Sequence, residues 1–229
     1  MATSHLRSSG QRVSAEDRRH QILETATALF ARQGYEGTTT RQIAERAQVN
    51  EAIIFRHFPT KEDLYWAVIE HKCQEGQGKK IVAELVASGA KPQELFVGIA
   101  QRFLRMRQQD SSLGRLLLFS ALENHKLSQR FFQVHIAELY ESLAQYIRRQ
   151  MEAGVFRSDV DPLLAARGFW GMVVYHFMVQ ELFGGKQYHN ISIDEASVAI
   201  ADVWLKGMWP RQRPKARLHA VENAEKHSK

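Results

Sequence analysis

The segment Thr38–Leu64, TTTRQIAERAQVNEAIIFRHFPTKEDL, constrains this chain more than any other. Thr39 and Gln42 have capping-box spacing, so they predict the start of a helix in which Ile43, Ala44 and Ala47 form an apolar face. Gln48 and Val49 supply a turn. Asn50 is a strong N-cap for a second helix, Glu51 to Phe58, with Ile54 and Phe58 facing inward at i, i+4. Pro59 stops that helix, because the residue before a proline avoids helical geometry. Thr60 then caps a third helix, with Glu62 and Asp63 in its first turn, where the helix dipole favours acidic groups. Helix, short turn and second helix make a helix-turn-helix, a unit that presents its second helix to the DNA major groove.

Upstream, Ser14 is a candidate cap for a helix over Ala15 to Gln33. Ile22, Leu23, Ala26, Leu29 and Phe30 have the 3.6-residue period of a buried face. Gly34 stands at the position of a left-handed C-cap, and Tyr35 follows. Over Ile22 to Glu70 the chain resembles the TetR family of transcriptional regulators. The elements that carry the resemblance are Gly34-Tyr35, Thr38 to Thr40, Ile43-Ala44, Val49, Phe55, His57-Phe58-Pro59 and Lys61. Three positions depart from the family pattern: Gln48 replaces the turn glycine, Ile53 a small hydroxyl residue and Phe55 a tyrosine. A left-handed Gln48 costs about 1–2 kcal/mol. The missing phenol at Phe55 forfeits about 0.5–1.5 kcal/mol if it bonded DNA.

Beyond Leu64 the pattern is helical throughout, and no alternating run flanked by turn signals points to a sheet. The reading gives helices from Lys61 to Gln74, Lys80 to Ala87, from Pro92 as N1, around Leu116 to Leu122, Gln129 to Ala153, Asp161-Pro162 to Phe183, and from a cap at Asp194 to Trp209-Pro210. Breaks are expected at Ser88 to Ala90, Asp110 to Ser112 and Asn124 to Ser128. The fold class is therefore all-α. A helix-turn-helix domain with a basic N-terminal arm occupies 1–70, a larger helical domain 71–210, and a disordered basic tail 211–229.

Charge adds little to the DNA argument. Residues 1–70 hold nine basic and nine acidic residues, 71–205 fifteen and fourteen, and 206–229 seven and two. The net +6 is thus concentrated in the tail. The local exception is the arm carrying Arg7, Arg12, Arg18 and Arg19, which is suited to a minor groove. The single cysteine, Cys73, fits a reducing cytosol, and the first twenty residues are polar and basic rather than a secretory signal. The longest apolar run, Gly168 to Val179, is too short to span a bilayer. A cytoplasmic protein without a membrane partner is expected. His71 and Cys73 point to different faces of one helix, and no metal or other cofactor is expected. No phosphate-binding glycine loop, HExxH, G-x-S-x-G or paired-cysteine motif supports an enzyme or names catalytic residues.

What the resemblance implies is a transcriptional regulator that binds a double-stranded, palindromic DNA operator as a homodimer. A repressor is expected, released by a small, largely apolar effector. Phosphate contacts are expected from Thr40, His57 and Lys61. Base reading is expected from Arg41, Glu51, Ala52, Ile53 and Phe55. Aromatics and methionines in the middle helices nominate Phe103, Met106, Phe132, Trp170 and Tyr175 for the effector pocket, although such stripes also suit plain core packing. His135 and His176 are polar residues within apolar stretches and read as hydrogen-bonded core histidines. Leu163 to Phe183 are apolar almost all round, and the last helix carries a long apolar stripe. The resemblance implies that these two helices form the dimer interface, which nominates Phe169, Met172, Phe183, Ile200 and Trp204, with a single large core as the competing explanation. An alternative function is a helical protein-interaction module whose helix-turn-helix no longer reads DNA.

Overall fold

The computed structural model describes residues 14–76, 78–123 and 126–210, and among them it contains helices and no strand. The helices are α1 (Ala15–Gln33), α2 (Thr40–Arg46), α3 (Glu51–His57), α4 (Lys61–Gly76), α5 (Gly78–Ala87), α6 (Pro92–Gln109), α7 (Ser112–Leu122), α8 (Lys126–Phe131), α9 (Ala137–Glu152), α10 (Pro162–Phe177) and α11 (Ile193–Met208). Arg7, Arg12 and the tail at 211–229 lie outside the described residues.

Local chemistry explains most helix starts. Ser14 and Asp17 close a capping box on α1, and Thr39 and Gln42 do the same on α2. The Asn50 side chain accepts the Ala52 amide at 2.8 Å. Thr60 and Asp63 exchange the corresponding bonds ahead of α4. Asp161 caps α10 and Pro162 follows at N1. Other starts differ from expectation, and α5 begins at Gly78 rather than Lys80. The last helix is capped by Ser192, not Asp194, because Ser192 and Glu195 form a capping box two residues earlier. The Asp194 carboxylate instead accepts bonds from Gln101 and Arg105 of α6. The expected break up to Ser128 is shorter, since Lys126–Ser128 already belong to α8.

The two long helices are interrupted by π-helical turns, Phe132–Ile136 between α8 and α9 and Met178–Leu182 after α10. Apolar periodicity carries no signal for one extra residue in a turn, so the sequence pattern runs through both as continuous helix.

There are two cores. The first joins Ile22, Phe30, Ile43, Ile54, Phe58 and Tyr65 from α1 to α4 with Leu113, Leu116, Leu127 and Phe131 from α7 and α8. The second gathers α5, α6 and α9 to α11 around Phe96, Phe169 and Trp204. A boundary at residue 70 therefore does not divide the cores, because the helix-turn-helix region is completed by residues more than forty positions downstream.

Two backbone sites matter here. Gly34 ends α1 at φ 76°, ψ 179°, a region open only to glycine rather than the left-handed helical one expected. A Cβ there would also lie 2.2 Å from Glu123 Oε1. The turn between α2 and α3 is a Schellman motif: Val49 N–H bonds Ala44 O at 3.0 Å and Gln48 N–H bonds Glu45 O at 3.2 Å. Gln48 takes the left-handed position at φ 53°, the one non-glycine residue with positive φ among the described residues. Its side chain is exposed. Gln48→Gly should therefore raise stability by about 0.5–1 kcal/mol, the relief of left-handed strain minus the added freedom of the unfolded chain. Urea unfolding checks this: the midpoint rises with unchanged slope. A midpoint that stays put or falls refutes it.

Candidate nucleic-acid interface

The helix-turn-helix is held on α1 by polar as well as apolar contacts. Arg18 donates to the Gln21 side chain, which donates to the Ala47 carbonyl at 3.0 Å and so fastens the end of α2. Arg19 lies over the Phe58 ring at 5.2 Å. These two arginines, counted with the basic arm at the start of the first helix, brace the motif in this structure.

The recognition-helix candidate α3 buries Ile54, with Phe58 buried at its C-cap, and turns Ala52, Phe55 and Arg56 to solvent. Phe55 is 43% exposed. Ile53 is half-buried against the first core, so it offers less to a groove than its neighbours. Arg56 is a further outward residue that the sequence motif does not single out. Its only signal is positional, because it lies four residues after Ala52 and hence on the same face. Arg41 stands out from α2, paired with Glu45 at 3.0 Å. The Thr40 hydroxyl donates to the Glu51 carboxylate, linking a phosphate candidate to a base-reading candidate. His57 is half-buried beside Phe58.

Lys61 opens α4 with its ammonium 4.1 Å from the Tyr35 ring centre. Burial lowers its pKa, while Glu36 and Glu123 act in the opposite direction. The Tyr35 amide donates to Glu123 Oε2 at 3.1 Å, which ties the link before α2 to the end of α7.

The sequence-based effector set does not converge on one point. Phe103 and Trp170 meet edge to face at 5.5 Å, and Phe103 also meets Phe177 at 6.3 Å. The Arg107 guanidinium covers Phe103 at 5.5 Å, and Met106 is half-buried on the same helix. Tyr175 is 66% exposed on the other side of α10, five residues and about 140° from Trp170. Phe132 is exposed and lines a shallow open groove with Ser128, Gln129 and Gln133. A small cavity of about 10 Å³, room for one water, lies between α6 and the turn after α10 beside His176 and Gln180. Burial lowers the His176 pKa, which favours its neutral ring, and Glu181 opposes this.

The proposed interface set divides in the same way. Phe169 and Trp204 belong to the second core: Phe169 is fully buried, and Trp204 Nε1–H donates to the Ala165 carbonyl at 3.0 Å. Their apolar bulk is used within one subunit. Met172 and Ile200 are half-buried, and Phe183 is exposed.

Two family models match the chain. Residues 22–68 fit the bacterial regulatory proteins of the TetR family, and residues 94–204 fit the AefR-like transcriptional repressor C-terminal domain. The chain belongs to the TetR family. It is 26% identical over 192 residues to YerO, an HTH-type transcriptional regulator of Bacillus subtilis (strain 168), covering 81% of this chain and 63% of that relative. A TetR-family regulator from Mesorhizobium loti MAFF303099 superposes with a TM-score of 0.67 at 21% identity, covering 87% of this chain and all of that one. AibR, solved in complex with isovaleryl coenzyme A and operator DNA, gives a TM-score of 0.62 at 23% identity, with 85% and 100% coverage. These structures share the TetR fold. The relatives are transcriptional regulators rather than enzymes. No helix among the described residues is long and apolar enough to cross a membrane.

The Glu123 contact generates a stability test. Glu123→Ala should cost about 1.5–3 kcal/mol, the worth of a hydrogen bond to a charged group. Glu123→Gln keeps an acceptor and should recover most of it. Equal loss in both variants, or none in either, refutes the assignment when read by urea unfolding.

Proposed function

We propose that this TetR-family protein is a DNA-binding repressor that reads a palindromic operator through α3 as a homodimer and is released by a small, largely apolar effector. The observation that carries the reading is a capped helix-turn-helix whose second helix turns Ala52, Phe55 and Arg56 outward, with Arg41 exposed on the helix before it. Arg41 and Arg56 suit guanine O6 and N7, Glu51 suits cytosine N4, and Ala52 and Phe55 suit a thymine methyl. Ile53 adds apolar contact from the edge of the core. Thr40, His57 and Lys61 hold the phosphate backbone. The protein acts in the cytosol, where its operator is. A pure protein-interaction role is not favoured, since its relatives are regulators.

Selection of genomic fragments with the purified protein tests the reading, and recovery of no enriched sequence refutes it. Lys61→Ala should weaken specific and random DNA alike and flatten the log–log salt slope by about 0.9 for each phosphate it no longer neutralises. Glu51→Gln should cost about 1–3 kcal/mol of discrimination at one base position. An unchanged slope, or a base-by-base scan with no altered position, counts against these roles.

The dimer reading is supported by two exposed small-and-apolar stripes. Leu164, Gly168, Gly171 and Tyr175 line α10, and Ala199, Val203 and Gly207 line α11. A Cβ at any of these glycines would meet nothing, so a second backbone has room to approach. Val203→Asp puts a charge into this apolar face on each protomer and should weaken association by at least about 100-fold, or 2.8 kcal/mol. Sedimentation over a concentration series reads it, with helix content as a control. A dimer of unchanged affinity overturns this face. Effector binding is supported by Phe103, Met106 and Trp170, where the Trp170 indole N–H is buried without a hydrogen-bond partner and suits one polar acceptor on an otherwise apolar ligand.

A further inference from the structure

The contact between α1 and α4 carries a side-chain cluster that DNA binding does not use. His20 and Glu24 are four residues apart on α1, hence on one face, and His71 of α4 stands opposite. One ligand atom from each of the three lies within 4.8 Å of the others. His71 Nε2 is 3.2 Å from Glu24 Oε1, and the two imidazole rings meet edge to face at 5.3 Å. Tetrahedral zinc with bonds of about 2.0–2.1 Å needs ligand atoms about 3.4 Å apart. The shortfall is of the order of 1 Å, and His20 and Glu24 are exposed, free to close it by rotamer change.

We propose that His20, Glu24 and His71 form a zinc site that clamps α1 to α4. Two imidazoles and a carboxylate suit a late first-row dication, and three protein ligands leave a position for water. Lys72 is the competing cation: its ammonium is 3.4 Å from Glu24 Oε1 and 3.4 Å from Asp110 Oδ2. A zinc ion taking Glu24 leaves Lys72 its Asp110 partner, so the buried ammonium stays compensated. The consequence is mechanical. Helix α4 contributes to the first core with α1 and bonds α7, so an ion joining α1 to α4 favours the spacing seen in this structure over any other.

The test is zinc titration of the full-length, tag-free protein by calorimetry, with cobalt absorbance reporting coordination. It needs no DNA, so its failure is separable from failure of the regulator reading. One zinc per protomer should bind, and His20→Ala and His71→Ala should each weaken that event at least tenfold. Zinc should raise the melting temperature of the wild type and not of either variant. Zinc affinity unchanged in both variants places binding on other histidines and overturns the proposal, as does absence of binding at micromolar zinc. Glu24→Gln keeps the bulk and hydrogen bonding of the site but removes the charge. If its zinc affinity equals that of the wild type, the carboxylate is no ligand and the three-residue site is wrong.

Discussion

The Tyr65 phenol is the contact on which the placement of the helix-turn-helix depends. The ring is fully buried on α4, edge to face with Phe30 of α1 at 4.8 Å and with Tyr35 at 5.3 Å. Its hydroxyl donates to the Leu116 carbonyl of α7 at 2.8 Å. Burial, with the nearby Glu123 charge, holds this phenol far above its ordinary pKa, so it remains a donor at any physiological pH. One side chain thus fixes α4 against α1 on one side and α7 on the other. The Leu116 carbonyl lies inside α7 and keeps its intrahelical donor, so loss of the hydroxyl would cost the net worth of one hydrogen bond, about 0.5–1.5 kcal/mol.

From α7 the constraint passes to the second core. Arg115 Nε donates to the Ala31 carbonyl at 2.7 Å, joining α7 to the end of α1. Gly114 lets α7 approach α10, since a Cβ there would lie 2.7 Å from the Phe177 ring. Phe177 in turn touches Phe103, which touches Trp170. Close-packed aromatic contacts transmit displacement because they have no slack to absorb it. A ligand seated against Phe103 and Trp170 would therefore press on the helix that positions α1 and α4. It would alter DNA affinity only by its difference in affinity for the two arrangements.

What was legible in the sequence is what depends on neighbours a few residues apart. Ser14, Thr39, Asn50, Pro92 and Asp161 open their helices at the expected places, because a cap needs only its own first turn. The left-handed Gln48 was equally local. Contacts between distant residues were not legible. Nothing in local pattern links Tyr35 to Glu123, Tyr65 to Leu116 or His20 to His71. The same limit explains Phe169 and Trp204. One helix is apolar almost all round and the other carries a long apolar stripe, and periodicity cannot say which apolar surface meets another helix of the same subunit and which remains outside.

The side chains proposed to face DNA differ in how firmly the free protein holds them. Arg41 and Glu45 pair with side chains 81% and 64% exposed, an arrangement worth a few tenths of a kcal/mol in water. Releasing Arg41 to a guanine is thus nearly free. Glu51 is half-buried and accepts the Thr40 hydroxyl, a charge-assisted bond that a cytosine amine would have to share or replace. A carboxylate can accept several bonds, so Thr40 can orient Glu51 while Glu51 still takes a donor from a base. The same bond draws on the Thr40 donor, which leaves that hydroxyl only its lone pairs unless it turns to a phosphate. On the proposed roles, a phosphate that captured the Thr40 hydroxyl would free one acceptor position on Glu51 for a base, so phosphate approach and base reading would be linked through this one hydrogen bond.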